Sequence, residues 1–194
     1  MNQAELTELL NALRESCAAR GACVEVELGQ GASIAAIAEC ERTLGVRFAP
    51  SLAAFLKQWN GITIRCYDDK SQPPHDRECW DARFAIFDTA LIVKLTIGVR
   101  DLFELAAESP TSPPGTRERG RQVLALSEEA DIVIHLALER RDEAGECPVM
   151  VLDQVYYGEW LDDPGSPIAA NVDDHVRRSL EAMIRTGETF WYWS

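Results

Sequence analysis

Four segments of the chain carry the hydrophobic pattern of amphipathic helices. Apolar residues recur there at spacings of three and four, which places them along one face of a helix. The segments are residues 6–17, 34–44, 52–59 and 172–184, and Val99, Leu102, Phe103 and Ala106 suggest a further short helix. Ser33 and Asn171 stand at N-cap positions, and Gly45 stands where glycine commonly ends a helix. Helices are therefore predicted near both ends of the sequence.

Between these helices, alternating apolar and polar residues predict β-strands. The strand-like stretches are residues 23–28, 62–66, 83–87, 90–97, 122–126, 131–138 and 148–153. Polar turns join the last three stretches, which predicts an antiparallel meander. The polar segment 67–81 and the proline-rich segment 109–120 are predicted to be surface connections. Because helices flank the run of strands rather than alternate with it, the predicted fold class is α+β.

The sequence Trp59-Asn60-Gly61 closes the third helix and leads into a strand. Asparagine and glycine tolerate the left-handed backbone conformation that ends many helices, so Asn60-Gly61 is predicted to be a C-cap rather than a ligand site. Trp59 continues the apolar stripe and is predicted to pack in the core. His135 lies within a predicted strand, and His175 on the last helix is expected to face solvent.

Composition and charge narrow the possible functions. With 194 residues, of which 46% are apolar and 26% charged, the chain is expected to form a single domain over residues 1–194. The formal net charge of −13 argues against binding to nucleic acid or to an anionic membrane, and it favours basic partners. The six cysteines include no Cys-x-x-Cys pair, which is typical of reduced thiols, and we expect a cytoplasmic protein.

Motifs for common catalytic chemistry do not occur in the sequence. Gly-x-Ser-x-Gly, the phosphate-binding P-loop and His-Glu-x-x-His are all missing. Cys66, His75 and Cys79 offer three local ligands, where a structural zinc site needs four. We therefore expect no enzymatic activity, no catalytic residue, no metal and no cofactor. A small hydrolase that uses clustered carboxylates, such as Asp131 and Asp153, is left as an alternative.

The strongest charge feature lies between residues 139 and 163, where eight acidic residues occur against two arginines. Aromatic residues are interleaved with these acids, and that combination suits a protein-binding surface. The candidate partner-binding residues are Glu139, Asp142, Glu143, Glu146, Tyr156, Tyr157, Glu159, Trp160, Asp162 and Asp163. The alternative is a solvated acidic loop whose aromatic residues pack inward.

The segment "IAAIAECERTLGVRFAPSLAAFLKQWNG" resembles the signature of the SUKH superfamily. In that signature a helix ends in Glu-x-x-Leu-Gly, a proline turn follows, and a second helix ends in Phe-Leu-x-x-x-Asn-Gly. The signature positions here are Glu41, Leu44, Gly45, Pro50, Phe55, Leu56, Trp59, Asn60 and Gly61. Residues 148–153 and the helix after Asn171 resemble the family's late strand and closing helix, so the core signature covers residues 33–185.

The resemblance implies an α+β domain with a central, mainly antiparallel sheet and a closing C-terminal helix. It also implies a binding role, since the superfamily includes bacterial immunity proteins and fungal cell-wall synthesis regulators and shares no catalytic residues. We therefore expect a cytosolic immunity protein that neutralises a cognate, basic toxin, for example a nuclease, by steric and electrostatic occlusion. A protein-binding adaptor or regulator unrelated to toxins is the alternative.

Overall fold

The structure, a computed structural model, describes residues 1–67, 82–129, 132–153 and 165–187. Within these ranges the chain forms six α-helices and six β-strands. The helices are α1 (Gln3–Ala19), α2 (Ile34–Leu44), α3 (Pro50–Gln58), α4 (Thr89–Ala106), α5 (Thr116–Arg121) and α6 (Val172–Thr186). A 3₁₀ turn spans Leu138–Arg140.

The strands form two three-stranded antiparallel sheets. They are β1 (Cys23–Leu28), β2 (Ile62–Tyr67), β3 (Ala82–Ile86), β4 (Val123–Glu129), β5 (Ile132–Ala137) and β6 (Val149–Asp153). The first sheet has the order β1-β2-β3 and the second β4-β5-β6, so the predicted meander is confirmed. Phe87 donates a backbone hydrogen bond to the carbonyl of Leu126 at 2.8 Å, which connects the end of one sheet to the other. The α+β class and the helices at both ends are confirmed.

The predicted helix caps are present. Ser33 Oγ accepts a hydrogen bond from the backbone N–H of Ala36 at 3.1 Å, and this bond starts α2. Gly45 ends the same helix with a φ of 68°, a conformation that favours glycine. Asn171 Oδ1 accepts from the N–H of Asp174 at 2.9 Å at the start of α6. Short polar residues thus fix where these two helices begin.

The prediction of a strand at residues 90–97 is wrong, because this segment belongs to helix α4. Asp88 caps the helix through Oδ1, which accepts from the N–H of Leu91 at 2.8 Å. Ile92, Val99 and Phe103 are buried on one face at helical spacing. The β-branched residues of "ALIVKLTI" suggested a strand, but the spacing over the longer segment 89–106 is helical.

The proline-rich connection at residues 109–120 also departs from expectation, since its second half forms the short helix α5. Gly120 of this helix packs against α4 so closely that an added Cβ would lie 2.4 Å from the Cβ of Phe103. Only glycine allows this approach between α4 and α5.

Helix α4 is also connected to the second sheet by a hydrogen bond. Thr96 Oγ1 accepts from the buried N–H of Ala125 at 3.1 Å.

The main core is formed by helices α1, α2, α3 and α6 together with residues of both sheets. Each helix contributes a buried stripe, and in β2 the alternate residues Ile62, Ile64 and Cys66 point into the same core. Burial of one such side chain stabilises the fold by roughly 1.5–3 kcal/mol. Trp59 is buried with its ring centroid 5.5 Å from that of Phe55, which agrees with the predicted core role.

Asn60-Gly61 does not form the predicted C-cap. Helix α3 ends at Gln58, and the capping residue is Trp59 in an extended conformation. Asn60 Oδ1 instead accepts a hydrogen bond from the N–H of Thr89 at 2.9 Å, at the first turn of α4. Gly61 has a φ of 99°, which only glycine adopts readily. The pair therefore connects the junction of α3 and β2 to helix α4, which begins at Thr89, 28 residues after Gly61.

The backbone after β1 approaches this junction very closely. The N–H of Gly29 donates to the carbonyl of Gly61 at 2.9 Å. An added Cβ at Gly29 would lie 2.0 Å from the carbonyl oxygen of Asn60, and one at Gly31 would lie 2.1 Å from that of Lys57. Real Cβ atoms do not come this close to backbone, so both glycines of "GQG" are required here.

We expect Asn60→Ala to lower the free energy of unfolding by roughly 0.5–2 kcal/mol, because the N–H of Thr89 loses its acceptor at a helix start. Urea denaturation measures the effect. Asn11→Ala is the matched control, since Asn11 is exposed and its amide accepts only a surface hydrogen bond from Arg14. Equal losses in the two variants would contradict a special role for Asn60.

Candidate partner-binding surface

The first eight residues of the acidic segment, 139–146, form a tight turn between β5 and β6, here called the acidic turn. Asp142 closes it with two hydrogen bonds to Glu146. Its Oδ1 accepts from the N–H of Glu146 at 2.8 Å, and its own N–H donates to the carbonyl of Glu146 at 2.9 Å. Gly145 supplies the positive φ of 84° that the turn needs.

Arg141 fastens the acidic turn to the connection between α2 and α3. Its Nη1 donates to the carbonyl of Gly145 at 2.8 Å, within the turn. Its Nη2 donates to the carbonyl of Arg47 at 2.6 Å, across the turn's boundary. Because the turn is held in place before any partner arrives, less conformational entropy is lost on binding.

Glu146 stabilises the fold rather than projecting from it. Its Oε1 accepts from the N–H of Ser51 at 2.9 Å and its Oε2 from the hydroxyl of Ser51 at 2.6 Å. Ser51 Oγ in turn accepts from the buried N–H of Val172 at 3.3 Å. A carboxylate is favoured here, since Ser51 and Val172 lie in the first turns of α3 and α6.

The other predicted acidic residues of the turn are on the surface. Glu139, Asp142 and Glu143 are exposed, whereas Glu146 is half-buried. The remaining candidate partner-binding residues lie outside the described residues; they are Tyr156, Tyr157, Glu159, Trp160, Asp162 and Asp163. His75, Cys79 and Asp131 fall outside as well, so the predictions on them stay predictions.

The signature residues position the α2–α3 connection beside this turn. Glu41 Oε1 accepts from the N–H of Phe48 at 2.8 Å, and Oε2 pairs with Arg47 at 2.9 Å. This contact explains a glutamate three residues before Leu44 in the motif. Leu44, Phe55 and Leu56 are buried, and the exposed Pro50 opens α3.

Both described histidines are buried. His135 lies on β5 and His175 on α6, and burial lowers the pKa of each to about 4. The expectation that His175 faces solvent is wrong, because this position belongs to the buried stripe of α6 with Val172 and Val176. The imidazole ring packs on Phe84 with centroids 5.4 Å apart.

Three carboxyl groups in the described ranges, those of Glu5, Glu39 and Asp174, have a lowered pKa and are held ionised. A hydrogen bond from Arg177 lowers the pKa of Glu5, and one from Arg42 lowers that of Glu39. The pKa of Asp174 is also lowered. Burial alone would raise it, but the hydrogen bonds from the N–H of Ala170 and from the guanidinium of Arg178 outweigh that effect. A general acid needs a raised pKa instead. Over the described ranges, no group of three His, Cys, Asp or Glu residues could hold a metal ion.

Sequence reasoning missed two features of the surface. One is a groove lined by four arginines. These arginines are spread between residues 47 and 141, so no short stretch of the sequence shows that they lie together. The other is the exposed face of α4, where Leu91, Leu102 and Leu105 are open to solvent. Their spacing would have predicted an apolar helix stripe if residues 90–97 had been interpreted as helical.

Comparison of the chain with protein-family models and with curated proteins finds no match. The resemblance to the SUKH superfamily therefore rests on the motif residues. Over the ranges that the structure describes, none of the helices combines the length and the apolar character needed to cross a membrane.

We expect Glu146→Ala to destabilise the protein by roughly 1–3 kcal/mol, because the N–H and hydroxyl of Ser51 lose a charged acceptor. Glu143→Ala is the matched control on the same turn and should change stability by less than about 0.5 kcal/mol. Thermal and urea unfolding of both variants provide the comparison. If Glu143→Ala lowered the stability and Glu146→Ala did not, our assignment of a stabilising role to Glu146 would be wrong.

Stability should fall as the pH is lowered from about 6.5 to about 4. In this range the unfolded chain binds protons on His135 and His175, whereas the folded chain keeps both neutral. Each histidine then contributes a loss on the order of 3 kcal/mol by pH 4, and none above pH 7. Urea unfolding across this range measures the slope, and His175→Gln should make it shallower. An unchanged slope in that variant would contradict the buried neutral state.

Proposed function

We propose that this protein binds a basic toxin domain and neutralises it by occlusion, in the manner of an immunity protein. The observation that carries the proposal is the acidic turn, which presents exposed carboxylates on a backbone fixed by internal hydrogen bonds. The resemblance to the SUKH signature supports the same role. The expected partner is a protein, with neither nucleic acid nor a membrane involved.

Two carboxylates of the turn are free to pair with a partner. No described residue forms an ion pair or hydrogen bond with the side chain of Glu139 or Glu143, and both are exposed. Because the backbone of the turn is already fixed, less backbone entropy is lost when these side chains meet a complementary surface. Glu139 and Glu143 are therefore the residues we assign to partner contact among those that the structure describes.

Charge also determines how the partner would be captured. With a formal net charge of −13, the protein attracts a basic surface over a range set by the salt concentration. A toxin that acts on nucleic acid needs a basic substrate cleft, and the acidic turn would compete for that cleft. Occlusion requires no turnover, so the protein would act stoichiometrically.

The test reverses the two free carboxylates together, as Glu139→Lys with Glu143→Lys. The partner to be tested is the product of the neighbouring gene. If that gene encodes a toxin domain, the domain is made catalytically inactive and its association is followed by surface plasmon resonance. We expect the association rate to fall roughly tenfold at low salt and the difference to shrink at high salt. Growth rescue by co-expression with the active toxin should weaken in parallel.

A matched control separates the turn from the overall charge. Glu8→Lys with Glu15→Lys makes the same change in net charge on the exposed face of α1. Equal slowing in both double variants would show that only net charge matters, and no slowing in the first would remove the acidic turn from the interface. If the neighbouring gene encodes no toxin and no rescue occurs, the adaptor or regulator alternative replaces this proposal.

A further inference from the structure

A groove of about 980 Å³ lies beside the acidic turn. Its walls come from the α2–α3 connection, from α4, from the end of α5 and from the 3₁₀ turn after β5. Arginines dominate the polar lining, namely Arg47, Arg100, Arg121 and Arg141. This clustering is unexpected in a chain with 32 acidic and 19 basic residues.

Hydrogen bonds to backbone carbonyls hold these arginines together. Arg100 Nη1 donates to the carbonyl of Leu44 at 2.8 Å, and its Nη2 donates to that of Arg121 at 3.3 Å. Arg141 Nη2 donates to the carbonyl of Arg47 at 2.6 Å. Arg100 therefore lies beside Arg121, and Arg141 lies beside Arg47. The four residues come from α4, from α5 and from two connections.

The positive charge of the groove is only partly compensated. Arg47 pairs with Glu41, and Arg121 lies 3.6 Å from carboxylate oxygens of both Glu104 and Glu118. Arg100 and Arg141 have no carboxylate partner in the part of the chain that the structure describes.

Of the four arginines, Arg100 has the least compensated positive charge. Its Nε is buried and finds no hydrogen-bond acceptor among the described residues. Burial, together with the nearby charge of Arg121, lowers the pKa of its guanidinium. Both effects mean that the folded protein holds a positive charge in a place that disfavours it, and a bound anion would relieve this cost.

We propose that this groove binds a small organic polyanion through phosphate or carboxylate groups. Planar guanidinium groups match both kinds of oxyanion, because each can donate two parallel hydrogen bonds. The apolar residues Leu44, Val46 and Leu138 line the same groove and would contact the body of the ligand. The volume falls in the range of small-molecule pockets.

The surroundings favour a small ligand over a nucleic acid. The exposed carboxylates of the acidic turn lie beside the groove, and Asp101 and Glu104 line part of it. A long phosphate backbone would have to pass these carboxylates, whereas a compact polyanion can reach the arginines without passing them. This site is separate from the carboxylates assigned to the toxin and does not depend on that assignment.

The test is isothermal titration calorimetry of the full chain with two probes, pyrophosphate and citrate, at constant ionic strength. We expect one site per chain, and the stronger of the two probes identifies the phosphate or carboxylate source. Arg47→Gln with Arg121→Gln should weaken binding by roughly tenfold or more, since two charge-assisted contacts are lost. Both side chains are largely exposed, and their backbone carbonyls remain to hold Arg141 and Arg100.

The matched control removes two ion-paired arginines elsewhere, as Arg42→Gln with Arg178→Gln. Its affinity for the stronger probe should match that of the unchanged protein. Thermal unfolding with each probe, against sodium chloride at equal ionic strength, shows whether the variants are folded. Binding that survives in the groove variant, equal loss in the control, or no binding of either probe to the unchanged protein would each overturn the proposal.

Discussion

The rest of the fold depends on how closely the backbone after β1 approaches the junction between α3 and β2. Without side chains at Gly29 and Gly31, this contact sets Leu28 opposite Ile62 and so fixes the register of the first sheet. The same junction presents the amide of Asn60 to the first turn of α4. Helix α4 then holds the second sheet through Thr96, so one close approach orders elements on both sides of the molecule.

Much of this architecture could be predicted from local pattern. Helix periodicity and short polar caps placed α2 and α6, and alternation placed all six strands that the structure describes, because each signal acts within a few residues. The segment 90–97 misled, since its β-branched residues favour a strand while burial against the second sheet favours a helix. Asn60 also misled. The local sequence suggests a cap for α3, but Asn60 Oδ1 accepts a hydrogen bond from Thr89 at the start of α4. A contact between residues so far apart in sequence cannot be read from the local pattern.

The sequence reveals a charged surface only where its residues are contiguous in the chain. The acidic turn is contiguous in sequence, so its charge is visible there, although the inward role of Glu146 depends on Ser51 and Val172 from distant helices. The arginine groove is assembled only by packing. Arg141 belongs to both regions, since it fastens the acidic turn and lines the groove. Two surfaces of opposite charge therefore share one structural anchor.

Helices α1 and α6 pack against each other, and Ser16 Oγ donates to the carbonyl of Ile184, 168 positions away. Arg20 adds a hydrogen bond to the same carbonyl, and Arg177 pairs with Glu5. During synthesis on the ribosome, the apolar stripe of α1 emerges long before α6 exists. Until α6 has been synthesised, the nascent chain therefore carries an incompletely covered helix, and in that period chaperones or self-association compete with folding.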